Sequence, residues 1–122
     1  MELLNIFNWS LVGVACLFMG LDIVTGFTQA LYNKCVSSTK MKDGIFHKCG
    51  FLLAMLLAGL CEYAMIFVDL GFNVPVQNAT CLLIIMTEIV SNIENICLLS
   101  PELANSKFPQ LFENLGKNKD EK

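Results

Sequence analysis

The strongest constraint on this chain is a carboxylate inside an apolar segment that is long enough to cross a bilayer. Residues 11–31 carry one charged side chain, Asp22. As a helix this segment measures about 31 Å, which matches a hydrocarbon core of about 30 Å. A carboxylate near the bilayer centre costs about 2.5–3.5 kcal/mol, so it is tolerated where it faces protein or water. The segment predicts a transmembrane helix with one face that avoids lipid.

The composition extends this prediction to the whole chain. Hydrophobic residues make up 55% of the 122 residues and charged residues 16%, whereas soluble domains carry about 25% charged residues. The apolar residues gather in three blocks, at 11–31, 49–70 and 79–99. We therefore expect an all-α membrane protein with about three transmembrane helices in residues 1–100, followed by a polar tail at 101–122.

The third block is the least regular, because its second half is polar. Glu88, Ser91 and Asn92 follow a fully apolar first half. A segment of this kind either spans the membrane or lies at the interface as an amphipathic helix. The sequence leaves both readings open.

The lysines predict the orientation. All eight basic residues are lysines, four of them in the polar segment 32–48, while residues 71–78 carry no charge. The positive-inside rule places a lysine-rich short loop in the cytoplasm. The N-terminus then lies outside, and a third span returns the lysine-bearing tail to the cytoplasm. We expect the loop lysines to bind anionic headgroups at about 1 kcal/mol each; they are Lys34, Lys40, Lys42 and Lys48.

Polar and small residues fall at helical spacings within each block, which places them on one face of each helix. A single copy of three helices hides little polar surface, so we expect many copies to assemble, with these residues facing other helices or lining a pore. The candidates are Asp22, Thr25, Gly26, Gln29, Glu62, Asp69, Glu88, Ser91 and Asn92. Gly50, Ala54 and Ala58 step by four and predict close helix packing. The alternative is that the acids only hydrogen-bond between helices.

Several function classes are disfavoured. The lone histidine, His47, has no serine–acid arrangement beside it, and the six cysteines contain no CxxC pair. No glycine-rich phosphate loop or metal-ligand spacing is present, so we expect no enzyme, cofactor or metal. The lysines form no continuous basic face, which argues against a nucleic-acid partner.

Two ordered sets of residues resemble a known family. The first is Asp22-x-x-Thr25-Gly26, followed by Ser38-x-Lys40-Met41-x-x-Gly44-Ile45-x-x-Lys48 and an apolar span. The second is Glu88-x-x-Ser91-Asn92-Ile93-Glu94-Asn95, followed by Pro101 and a polar tail. Over residues 20–102 the chain resembles the phage holins of the toxin-secretion and phage-lysis family.

This resemblance implies a homo-oligomeric pore-former in the bacterial host cytoplasmic membrane. Such a protein permeabilises the membrane, so that an endolysin or a large toxin reaches the cell wall, and an antiholin is a possible partner. The competing hypothesis is a membrane interaction protein that forms no pore, such as an antiholin or an accessory transporter subunit. Its acids would pair with basic residues of a partner, since the predicted spans contain no lysine or arginine.

Overall fold

The computed structural model describes residues 2–113, with side chains from residue 4 onward, and every regular element in this range is a helix. The elements are α1 (Glu2–Ile6), α2 (Trp9–Tyr32), α3 (Ser38–Phe67), α4 (Val76–Leu99) and α5 (Pro101–Ala104). Residues 108–113 are also helical. The predicted polar tail is therefore described as far as residue 113, and residues 114–122 lie outside the described part.

Local sequence signals account for the helix ends. The side chain of Asn8 accepts a hydrogen bond from the Leu11 N–H at the start of α2, and Ser37 accepts one from Lys40 at the start of α3. Both are residue types that cap helix N-termini well. After α3, Gly71 adopts a positive φ of 75°, which glycine tolerates without steric cost. Pro101 follows α4, and the residue before a proline disfavours helical backbone.

Three of these helices are long and apolar enough to cross a membrane. They are α2 with 24 residues, α3 with 30 residues and α4 with 24 residues. At 1.5 Å per residue, α2 and α4 each measure about 36 Å and α3 about 45 Å. The third apolar block is thus one continuous helix of spanning length, as the first two are.

The start of α3 differs from the sequence prediction. The sequence predicted a polar loop over residues 32–48 and a span over 49–70, but the helix already begins at Ser38 and ends at Phe67. Ser37 is the N-cap of this helix, and serine occurs both in loops and at helix starts. Gly44 lies inside the helix with open space around it. The connection between α2 and α3 is consequently only residues 33–37.

Helices α2 and α4 run parallel to each other, and α3 runs antiparallel to both. Contacting residue numbers rise together along α2 and α4, from Asn8 with Gln77 to Asn33 with Leu98. A small apolar core joins the three helices near the end that carries the α3–α4 connection. It consists of Ala15, Met19, Met55, Cys81, Ile84 and Ile85. Beyond this core, towards the α2–α3 connection, the helices meet through polar side chains.

Candidate functional site

The candidate site is a cluster of polar side chains at the middle of the spans, which we call the polar layer. Asp22 is the fourteenth of the 24 residues of α2, and Glu88 is the thirteenth of the 24 residues of α4. Both carboxylates therefore lie close to the centre of a bilayer-spanning helix. The polar layer consists of Asp22, Thr25, Lys48, Glu88, Ser91, Asn92 and Asn95.

Asp22 lies at the centre of the polar layer and accepts hydrogen bonds at both carboxylate oxygens. Its Oδ1 accepts from Ser91 Oγ at 2.6 Å and from Asn95 Nδ2 at 2.8 Å. Its Oδ2 accepts from Lys48 Nζ at 2.6 Å. The carboxylate is thus stabilised by donors from both neighbouring helices, as a charge removed from water requires.

Lys48 joins all three helices. From α3 its ammonium group donates to Asp22 on α2 and, at 2.9 Å, to Glu88 Oε2 on α4. The exposed fractions of the three side chains are 13% for Lys48, 13% for Asp22 and 3% for Glu88. One positive group therefore faces two negative ones in a largely buried position. Such pairing is the usual condition for ionised groups within a membrane.

Neutral side chains complete the contact between α2 and α4. Asn92 Nδ2 donates to the backbone oxygens of Phe18 at 3.2 Å and Glu88 at 2.7 Å, while its Oδ1 accepts from Thr25 Oγ1 at 3.3 Å. Asn95 donates to Thr25 Oγ1 at 3.1 Å. The bond to Glu88 lies within α4, and the others connect α2 directly to α4 without involving α3.

Gly26 brings α2 and α4 close together beside the polar layer. A Cβ built at this position would lie 3.4 Å from Asn95 Nδ2. This is an ordinary van der Waals distance, so only a side chain larger than that of alanine would push against the amide that donates to Asp22. The sequence placed Gly26 on the polar stripe, and in the structure it lies next to Asn95.

A cleft of about 260 Å³ separates α2 from the first half of α3 and leads to the polar layer. We call it the α2–α3 cleft. Its apolar wall includes Ile23, Phe27, Met41 and Ile45. Asp22, Lys48, Ser91 and Asn95 lie at its polar end, and Ser37 and Lys40 line it near the start of α3.

A second polar contact lies at the opposite end of the helices. Glu62 Oε1 on α3 accepts from the Gln77 N–H at 2.9 Å, and Gln77 Oε1 accepts from the Asn8 N–H at 2.8 Å. Gln77 is 1% exposed, and within the described residues its Nε2 has no hydrogen-bond partner. Glu62 therefore belongs to a helix-end contact and not to the polar layer.

The structure brings some of the predicted polar residues together and leaves others apart. Asp22, Thr25, Glu88, Ser91 and Asn92 all meet in the polar layer, with Gly26 beside them. Gln29 instead accepts a local hydrogen bond from Asn33. Asp69 lies in the exposed turn after α3, where it accepts from the Gly71 N–H.

The predicted packing stripe on α3 is present only in part. Ala58 is buried and Ala54 half-buried, but Gly50 is exposed and a Cβ there would meet nothing within 4 Å. The close approach occurs at Gly59, which contacts the ring of Phe7. The glycine of α3 that allows a close contact is therefore Gly59, whereas the spacing in the sequence indicated Gly50.

The lysines predicted to bind headgroups divide into two groups. Lys34, Lys40 and Lys42 have exposed side chains at or before the start of α3, so headgroup binding by these three remains a prediction. Lys48 lies within α3, where its ammonium pairs with the two carboxylates of the polar layer.

A spacing signal for Lys48 was present in the sequence. Lys48, Met55 and Glu62 follow one another at heptad steps, and Met55 and Glu62 both face α4 in the structure. Residues seven apart share one face of a helix. An earlier start for the helix would have placed Lys48 on that face. Gln77 and Gly59 gave no comparable signal.

These features define a multi-pass helical membrane protein with a polar layer at mid-span. Among the described residues, no three histidine, cysteine, aspartate or glutamate side chains are grouped so as to hold a metal ion. Residues 2–116 match the bacteriophage holin family. This match covers nearly the whole chain, and the protein belongs to that family, whose members are oligomeric membrane proteins of phage lysis and not enzymes. Comparison with curated proteins and with solved structures gave no match.

Proposed function

We propose that this protein is a homo-oligomeric pore-former that permeabilises the host cytoplasmic membrane and so releases an endolysin, or a large toxin, from the cytoplasm. The observation that carries the proposal is the polar layer. Two carboxylates and several hydroxyl and amide groups lie near the middle of α2 and α4, two of the three helices that are long and apolar enough to cross a membrane. Groups of this kind are costly in lipid, and they are retained where they face protein partners or water.

The proposed assembly is supported by how little of each helix is covered by the rest of the chain. In the most apolar 18-residue stretch of each helix, only 11% of the residues of α2, 17% of those of α3 and 22% of those of α4 are buried. Helix faces without a partner within one chain are free to pack against further copies in the plane of the membrane. Polar side chains facing one another between copies would then enclose water instead of lipid.

The orientation we propose has the N-terminus outside and the C-terminus in the cytoplasm. The exposed lysines Lys34, Lys40 and Lys42 lie at the end of the bundle that carries the short α2–α3 connection. The α3–α4 connection at the other end carries no lysine. This asymmetry supports a cytoplasmic α2–α3 connection.

A second candidate is an antiholin or another membrane protein that forms no pore. One observation favours it: the polar layer is hydrogen-bonded within a single chain, so one copy is a self-sufficient unit. The sequence suggested that the acids need basic residues of a partner protein. This argument is weaker in the structure, because Lys48 already pairs with both Asp22 and Glu88.

Inducible expression in a bacterium that lacks other lysis genes separates the two candidates. Release of a cytosolic reporter enzyme and the membrane potential are followed in the same culture. We expect a silent period and then abrupt release of the folded enzyme together with loss of the potential. A lasting potential and no leakage, at high abundance of the protein in the membrane, would contradict the pore-former and support the antiholin.

A further inference from the structure

The polar side chains suited to line a pore are occupied within the chain. Asp22 accepts hydrogen bonds from Lys48, Ser91 and Asn95, and Asn92 donates to two backbone oxygens. In this packing they present little surface to a lumen or to a neighbouring copy. A lumen lined by these groups therefore requires the polar layer to open first.

The three helices are not held equally in this layer. Helices α2 and α4 share bonds from Ser91, Asn92 and Asn95, all of them independent of α3. Within residues 38–52, the first half of α3, Lys48 alone donates a side-chain hydrogen bond to α2 or α4. The first half of α3 is thus the segment that a change at one residue would release, because Met55 and Glu62 hold the second half.

The α2–α3 cleft increases the importance of the Lys48 ion pairs for holding the first half of α3. Along its length, Ile23 and Phe27 of α2 are separated from Met41 and Ile45 of α3 by open space. The cleft therefore reduces close packing between α2 and α3 near their connection, and separated surfaces gain little dispersion energy. At the far end of this half, Phe51 packs against the apolar core. Between Phe51 and the α2–α3 connection, the Lys48 ion pairs are the polar link between α3 and the α2–α4 pair.

We propose that Lys48 is a latch, which holds α3 against the α2–α4 pair in a closed packing that precedes the pore. When its two ion pairs break, the first half of α3 separates and exposes Asp22, Glu88 and Ser91 to neighbouring copies or to water. This inference deepens the proposed function and rests on it. The latch sets the onset of pore formation, while the exposed residues form the lining.

The test compares variants of the full chain in vesicles that contain anionic lipid and an encapsulated fluorescent dextran. Lys48→Met removes the latch cation, and Asp22→Asn combined with Glu88→Gln removes both of its acceptors as charges. We expect dextran release from each to begin at about a tenfold lower protein-to-lipid ratio than for the wild type. This change corresponds to about 1.4 kcal/mol.

Matched controls separate the latch from a general effect of charge. Lys107→Met removes a lysine from an exposed position outside the spans, and Glu94→Gln neutralises an exposed acid on α4. Both should release dextran at the wild-type ratio. Lys48→Arg should also behave like the wild type, because a guanidinium group has donors enough to bridge both carboxylates.

The outcomes distinguish the latch from the function on which it rests. No release by the wild type at any protein-to-lipid ratio would overturn the pore-former itself. Release by the wild type, with Lys48→Met and the double variant no faster than their controls, would overturn the latch alone. If Lys48→Met fails to insert, as judged by vesicle flotation and circular dichroism, the double variant decides the question.

Discussion

Asp22 and Glu88 are both carboxylates of the polar layer, but they depend on Lys48 to different degrees because their other hydrogen-bond donors differ. Asp22 accepts hydrogen bonds from Ser91, Asn95 and Lys48. Glu88 Oε2 accepts its hydrogen bond from Lys48. Loss of Lys48 therefore leaves Asp22 with Ser91 and Asn95 but deprives Glu88 of its ion pair. Breaking a buried pair from one side is costly because it leaves an uncompensated charge. Of the two acids, Glu88 depends more strongly on the latch.

Replacing Asp22 with leucine should destabilise the closed packing and alter lysis. The substitution removes the acceptor for Lys48, Ser91 and Asn95. Side-chain hydrogen bonds between membrane helices contribute about 0.6–1.7 kcal/mol each, so we expect unfolding in detergent to require about 2–5 kcal/mol less free energy. At matched expression, lysis should shift in time or be lost. Glu94→Leu, at an exposed position on α4, serves as the control. Unchanged timing in Asp22→Leu would contradict the role given to this residue.

At the scale of the helices, the number, type and approximate centre of the spans follow from the sequence. Each apolar block is long enough to span a bilayer, and the blocks at 11–31 and 79–99 lie within α2 and α4. The start of α3 does not follow, because Ser37 is equally compatible with a loop and with a helix cap. That one boundary determines whether Lys48 belongs to a loop or to the interior of the bundle.

The polar layer follows from the sequence only as a set of stripes. Helical spacing places Asp22 with Thr25, and Glu88 with Ser91, on common faces. The spacing does not tell which polar faces pack against each other, because that depends on the rotation of each helix about its axis. The parallel pairing of α2 with α4, and the bridge that Lys48 makes between them, emerge only in three dimensions.

Two glycines of α3 should respond differently to substitution with alanine. At Gly50 a new methyl group meets open space, so Gly50→Ala should stabilise the helix by about 0.5–1 kcal/mol through its backbone preference. At Gly59 the methyl group would overlap the ring of Phe7. Overpacking costs about 1–3 kcal/mol, so Gly59→Ala should be neutral or destabilising. Unfolding in mixed detergent measures both, and equal gains would refute the contact between Phe7 and α3.

At the scale of the whole molecule, the bundle is divided along its length into three levels. The apolar core lies towards the α3–α4 connection, the polar layer at mid-span, and the α2–α3 cleft towards the α2–α3 connection. Packing is therefore tighter at one end than at the other. If the cleft end faces the cytoplasm, as the exposed lysines indicate, the bundle would open from the cytoplasmic side.

Thiol labelling tests this orientation with a cysteine that the chain already contains. Cys35 is exposed in the short α2–α3 connection, whereas Asn73 lies in the connection between α3 and α4. A membrane-impermeant maleimide should label Cys35 in inverted membrane vesicles and leave it unlabelled in intact spheroplasts. In Cys35→Ser combined with Asn73→Cys, the new thiol should show the reverse pattern. The positive-inside asymmetry predicts this result because the lysine-bearing loop is retained in the cytoplasm during insertion. Labelling of Cys35 from outside would invert the topology and direct the cleft away from the cytoplasm.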